Sequence, residues 1–236
     1  MPARKAIEAI ASAGRRADRG DAAAADAAPC LLVERRTRDA DEQAACLRGW
    51  DQVYEQLAPG RFEGRFAEAR LRGIQLFRET TNRPLYQAGR VRDGQRVLGI
   101  PLQLRGRGHC RGRPIEPDSV VAVRGGGELD LRTPEDFDIV AVALPQASLQ
   151  RHADEIEHCA LRRDAAADGV LAPGRAQVDM LRTLALNALD GLSRTPAVLR
   201  FDAAQRALES ALLGAGVRLL AAPAGGSAEL PGTGLR

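Results

Sequence analysis

Residues 67–78 read AEARLRGIQLFR. Ala67, Ala69 and Leu71 alternate with Glu68, Arg70 and Arg72, and after Gly73 the run Ile74-Gln75-Leu76-Phe77-Arg78 resumes in the opposite frame. Alternation, a glycine and a second β-prone run predict two antiparallel strands joined near Arg72-Gly73. The hairpin sits inside residues 41–99, which hold the only Trp, both Tyr and three of the five Phe residues. With aromatics at 3% of the chain, that concentration marks either a core or a ligand pocket.

Upstream, Ala45, Leu47, Trp50, Tyr54 and Leu57 recur in part at helical spacing, interrupted by Gly49. This predicts a short helix or irregular segment over Glu42–Leu57, stopped by Pro59-Gly60. Trp50 and Tyr54 would then lie on one side of it, against a barrel or across its mouth, with core packing and ligand contact both open to them.

Downstream, Val97–Leu102 reads as a strand whose Pro101 argues for an edge or a bulge. Val120–Arg124 and Glu128–Arg132 flank Gly125-Gly126-Gly127, predicting a second hairpin, and Phe137–Leu144 closes the set. Short strands separated by Gly and Pro suggest a β-barrel or double-sheet jelly roll. After Leu144 the period changes. Residues Ala147–Arg163 fit a surface helix, Gln177–Leu192 a helix with Val178, Leu181, Leu184, Ala185, Ala188, Leu189 and Leu192 at helical spacing, and Phe201–Leu213 a third. Beyond Gly214 the sequence has the Ala, Gly and Pro content of a linker. Strands followed by helices define an α+β chain: an Ala-rich arm at 1–29, frayed or disordered, a cupin-like barrel at 30–145, a helical segment at 146–213 and a tail at 214–236.

Several patterns occur in one order: Arg38 with the run Asp39–Ala44, GWDQxYxQLxPGxFxG over Gly49–Gly64, LFRExxNRxLxQxG over Leu76–Gly89, the Pro117-Asp118 turn, and LRTPEDFDIV over Leu131–Val140. Together they resemble the effector-sensing half of AraC/XylS-type transcription regulators across about Val33–Leu213. The resemblance implies a cupin-like barrel holding a small-molecule effector, followed by helices that form a homodimer contact. Leu181, Leu184, Ala188 and Leu192 are the implied dimerisation residues, although the same side of that helix could equally pack on its own barrel. The resemblance also implies a DNA-reading module of two helix-turn-helix units. A pair of such units needs on the order of a hundred residues, and the stretch after Leu213 offers only Arg218 and Arg236 as basic residues. DNA contact is therefore expected only through a C-terminal module that these residues do not contain.

Composition bounds the alternatives. Hydrophobic residues at 44% and charged residues at 28% are ordinary for a globular chain. The net charge is +3, and all basic residues but Lys5 are Arg, scattered rather than gathered in a stripe, which argues against a nucleic-acid surface. Cys30, Cys46, Cys110 and Cys159 form no C-x-x-C pair, so neither a zinc site nor a disulfide framework is indicated and a cytoplasmic setting is expected. No run has the length of a membrane span, and no membrane partner is expected.

The sequence offers no catalytic constellation. A metal-dependent cupin needs clustered imidazoles and a carboxylate, whereas His109, His152 and His158 are dispersed, the last two about 240° apart on a helix. No G-x-S-x-G elbow occurs, His109 and Cys110 would face opposite sides of a strand, and Gly125–Gly127 lacks the Lys-Ser/Thr of a phosphate loop. The expectation is a ligand-binding protein that is not an enzyme and carries neither cofactor nor metal. A stand-alone dimerisation fragment that modulates a full-length homologue, or a cupin-type metalloenzyme, are its rivals. Trp50, Tyr54, Phe77, Arg78, Tyr86 and Arg124 are the candidate ligand contacts, Arg78 or Arg124 being able to fix an acidic group by paired hydrogen bonds.

Overall fold

The computed structural model describes residues 31–162 and 166–221. The arm expected at 1–29 and the last part of the expected tail, 222–236, lie outside the described residues. The rest forms two antiparallel sheets with helices stacked on one of them.

The hairpin expected around Arg72-Gly73 forms. Strands β3 (Gly64–Leu71) and β4 (Ile74–Thr81) pair antiparallel from Gly64 opposite Thr81 to Leu71 opposite Ile74. Arg72 and Gly73 both take positive φ, 44° and 82°, the pair of left-handed residues that a two-residue turn matched to strand twist requires. Around this hairpin β1 (Leu31–Thr37), β6 (Gln95–Arg105), β9 (Val120–Arg124), β11 (Glu135–Pro145) and β12 (Gly169–Leu171) complete a seven-stranded sheet of order β1-β3-β4-β11-β6-β9-β12. The second sheet has five strands, β2 (Asp51–Gln56), β5 (Leu85–Arg90), β10 (Glu128–Thr133), β7 (Gly108–Cys110) and β8 (Arg113–Ile115), in the order β2-β5-β10-β7-β8.

Three expectations are corrected here. The segment leading to the hairpin is helical only over α1 (Ala40–Ala44), capped by Asp39, whose carboxylate accepts from Glu42 N at 2.7 Å. Trp50 then immediately precedes strand β2 and Tyr54 lies within it, where period two carries Trp50, Gln52 and Tyr54 to one side. Val120–Arg124 and Glu128–Thr133 are not a hairpin, because β9 and β10 belong to different sheets. Gly125 N donates to Gln95 O at 2.6 Å and Gly126 N to Val91 O at 3.0 Å, so the glycine turn hugs the start of β6 and passes the chain between sheets. Pro101 is not at an edge: β6 runs between β11 and β9, and the register with β11 shifts beside Pro101, between Asp138 and Ile139. The bulge half of that expectation holds.

The helices are α2 (Gln146–Glu155), α3 (Arg175–Arg194), a 3-10 turn at Pro196–Arg200 and α4 (Asp202–Leu220). The tail expected from 214 is helical as far as Leu220, with Gly214 to Val217, Leu219 and Leu220 buried. Its composition is the reason for the misreading: Gly214 and Gly216 weaken helix propensity, yet a Cβ at Gly216 would lie 2.6 Å from Leu144 Cδ1, so α4 presses closely on β11.

Both faces of the larger sheet are covered. Along β11, Val140, Val142 and Leu144 join Leu181, Ala185, Leu212 and Val217 in the core under the helices. Ala141 and Ala143 point the other way, into a second core between the sheets with Phe66, Phe77, Val121, Leu129 and Leu131. Leu181 and Leu192, expected at a dimer contact, are buried in the chain's own helix–sheet core. Leu184 and Ala188 are half-buried against the same core. The fold is a cupin-like α+β arrangement.

Candidate functional site

A cavity of about 40 Å³ lies between the two sheets, walled by Trp50, Tyr54 and Phe77 and by aliphatic residues such as Val97, Val121 and Leu131. Trp50 and Phe77 meet edge to face with centroids 5.8 Å apart, and Phe66 stacks behind Phe77 at 5.8 Å. Four polar residues, Gln52, Tyr54, Glu79 and Gln87, share the lining, and none of the lining residues is basic.

Glu79 is the centre of this polar group. It lies on β4, one period from Phe77, and is 2% exposed. Its Oε1 accepts from Gln43 Nε2 at 2.9 Å, and its Oε2 accepts from the Tyr54 hydroxyl at 3.2 Å. Thr37 in turn donates its hydroxyl to Gln43 Oε1. Burial pushes the Glu79 carboxyl up from 4.5 to about 7, while Gln43, Tyr54 and the amide of Gln87 pull it back. The Tyr54 phenol is pushed well above its ordinary range by burial and by the Glu79 charge.

A second buried acid shows the contrast. Glu68 Oε1 accepts from Arg70 Nε at 2.6 Å and from Gln75 Nε2 at 2.5 Å, and Gln75 Oε1 accepts from the Trp50 indole at 2.9 Å. Glu68 is thus neutralised, and its chain of partners fixes the Trp50 ring over the cavity. Glu79 has no basic partner among the described residues. Near it, Gln52 Oε1 and Gln87 Nε2 are buried without hydrogen-bond partners, which is costly unless something else supplies them.

Of the six residues expected as ligand contacts, the structure brings Trp50, Tyr54 and Phe77 to this cavity and keeps the other three from it. Arg78 points to the outer face of its sheet and forks onto Asp138, with Nε to Oδ1 at 3.0 Å and Nη2 to Oδ2 at 2.6 Å. Tyr86 lies outside the smaller sheet under the Arg132 guanidinium, 5.0 Å from its centroid. Arg124 faces Arg96 across the β6–β9 ladder, and Asp168 answers both guanidinium groups, 3.4 Å from Arg124 Nε and 3.6 Å from Arg96 Nη1. In each case the inward residue is the next-door neighbour: Glu79, Gln87 and Val123. Phe77 supplied the signal for Glu79, since residues two apart on a strand share a face.

Among the described residues no group of three or more His, Cys, Asp or Glu is placed to hold a metal ion, and no helix is long and apolar enough to cross a membrane.

Residues 50–215 match the family described as AraC-binding-like domain. The match takes in well over half of the 236 residues, and the chain belongs to that family. Among solved structures it is similar to the AraC-like transcriptional activator CuxR, with 14% identity and a TM-score of 0.53 over 84% of this chain and 74% of that one. At that identity the likeness shows the fold. Vicilin from hazelnut, Corylus avellana, aligns over 61% of this chain and 50% of its own at 10% identity, with a TM-score of 0.26, too low to carry an argument. Family and fold point to a regulatory ligand-binding domain of AraC type.

Proposed function

We propose that this domain senses a small metabolite for an AraC/XylS-type transcription regulator and changes the regulator's hold on DNA by binding it between the two sheets. The observation that carries the reading is the cavity itself: apolar walls enclosing a few convergent polar groups, two of them unsatisfied, which is the make-up of a small-molecule site. A guest that bound one packing of sheets and helices better than another would shift the balance between them. The larger sheet's inner residues touch the cavity and its outer residues touch α3 and α4, so a change in the cavity has a short path to the helices.

Association of two copies is part of the proposal. Leu181 and Leu192 serve the internal core, leaving the partly exposed side of α3 around Leu184, Ala188 and the 36% exposed Met180 as its candidate surface. The DNA contact would belong to a helix-turn-helix module outside the residues described, and the regulator would act in the cytoplasm.

Thermal-shift screening against small metabolites tests the sensing half, because a ligand that binds only the folded state raises its apparent stability. A hit whose shift disappears in a Trp50→Ala variant supports the reading. A panel without any shift, or with hits indifferent to that substitution, overturns it. Light scattering on the purified chain, with Met180→Glu as the disrupting variant, tests the association.

A further inference from the structure

We propose that the cavity takes a small alkylammonium ion, its N–H groups directed to the Glu79 carboxylate and its short alkyl part lying among Trp50, Phe77 and the aliphatic wall. This rests on the sensing role proposed above and names the class of guest.

The first reason is charge. Glu79 is 2% exposed, and a buried carboxylate without a cation is among the costlier arrangements a core can contain. Neither Arg nor His lines the cavity, so no side chain there repels a cation and none already occupies the carboxylate. The second reason is unused hydrogen-bonding capacity. An ionised carboxylate has about four acceptor positions; Glu79 closes hydrogen bonds with Gln43 and Tyr54 and has the Gln87 amide facing it, so at least one position is left over. Gln52 Oε1 is a further buried acceptor without a donor. An ammonium group has three donors and no acceptor, which answers both. Gln87, 2% exposed, has its Nε2 without an acceptor as placed.

The third reason is the wall. Trp50, Tyr54 and Phe77 line the cavity, and aromatic faces attract cations in desolvated sites. Size then limits the guest. The cavity, about 40 Å³, exceeds the roughly 10–15 Å³ a single water needs and is far below the roughly 300 Å³ at which drug-sized sites begin. A guest of a few heavy atoms fits. Leu47, Trp50 and Gln52 also line an outer cleft of about 400 Å³ that carries Asp41 and Asp51 beside Arg48, so these three side chains stand between the cavity and that cleft.

Trp50 is the only Trp in the chain, so its emission reports on the cavity directly. Ethylammonium chloride, titrated at constant ionic strength against sodium chloride, is expected to change that emission saturably with a Kd on the order of 1 mM, the range open to the best ligands of so few atoms. Ethanol and sodium acetate, of matching size, should give no saturable change. Glu79→Gln, checked for folding by circular dichroism, should weaken ethylammonium at least tenfold. Equal or tighter binding of ethanol or acetate would overturn the cation while leaving a sensing cavity in place. Retention of ethylammonium binding in Glu79→Gln, or no response to any of the three, would overturn it too. The broader metabolite panel judges the sensing role separately.

Discussion

The Tyr54 hydroxyl and the Glu79 carboxylate tie the two sheets together at 3.2 Å, Tyr54 reaching from the smaller sheet and Glu79 from the larger. Glu79 titrates near 7 in the fold against 4.5 ordinarily, so over that interval the native state binds a proton that the unfolded chain has released. Its contribution is therefore fully present below about pH 4.5 and is lost as pH rises through about 7, a change of about 3 kcal/mol. Glu79→Gln keeps the shape of the protonated acid and cannot ionise. Urea unfolding of both proteins between pH 4.5 and 8.5 should show the wild type losing about 3 kcal/mol relative to the variant as pH rises. A pH-independent difference would rule out burial of that charge.

Tyr54→Phe removes the hydroxyl and nothing else from the cavity wall. The bond it makes favours the ionised carboxylate, so without it the Glu79 pKa should move further up, and the pH at which stability levels off should move with it. At pH 8.5, where the carboxylate is charged, the loss should be about 2 kcal/mol, the range for a hydrogen bond to an ionised group. At pH 5 it should be smaller. A uniform loss at both values would mean that the phenol acts only through packing.

Asp168 stands between two guanidinium groups in very different surroundings. The Arg96 side chain is 1% exposed, and Arg124 is 66% exposed. Besides the ion pair, Arg96 donates Nη2 to Ala167 O at 2.8 Å, and Asp168 Oδ1 accepts from Arg124 N at 2.8 Å. Asp168→Ala should therefore destabilise by about 3 kcal/mol, since it removes an acidic partner from a buried cation and an acceptor from the Arg124 backbone. Arg124→Ala should change stability by no more than about 1 kcal/mol, as exposed pairs contribute little. Chemical denaturation of the two variants side by side separates these outcomes.

The hairpin at Arg72-Gly73, the strands-then-helices order and the concentration of aromatics around a cavity were legible from alternation and composition alone, because each depends on local pattern. Sheet membership was not. Gly125–Gly127 between two β-prone runs looks the same whether the runs pair or part, and here β9 pairs with β6 and β12 while β10 pairs with β5 and β7. The site residues were missed by one position. Arg78, Tyr86 and Arg124 attract notice as polar recognition groups, yet Glu79 and Gln87 are the polar residues facing in, and the strand period with Phe77 as its anchor would have selected Glu79. The short strand β12 (Gly169–Leu171), inside a stretch expected to be helical, is too brief to leave a periodic signal.

The end of α4 gives the last test, because there composition and burial disagree. Residues 214–220 are rich in Gly and Ala and read as linker, yet Val217 is fully buried, and Leu219 and Leu220 are 2% and 1% exposed. Arg162 N donates to Leu220 O at 2.8 Å, and Leu161 bridges to Ala221, so this end is also held by backbone. Leu220→Ala should cost about 2–5 kcal/mol, as deletion of a buried leucine side chain does, where a linker residue would cost almost nothing. A chain shortened to end at Leu213 should bind a hydrophobic dye and melt well below one ending at Ala221, because Leu98, Leu144 and Leu149 would lose the helix that covers them. Equal melting temperatures for the two lengths would return residues 214–220 to the role of a spacer.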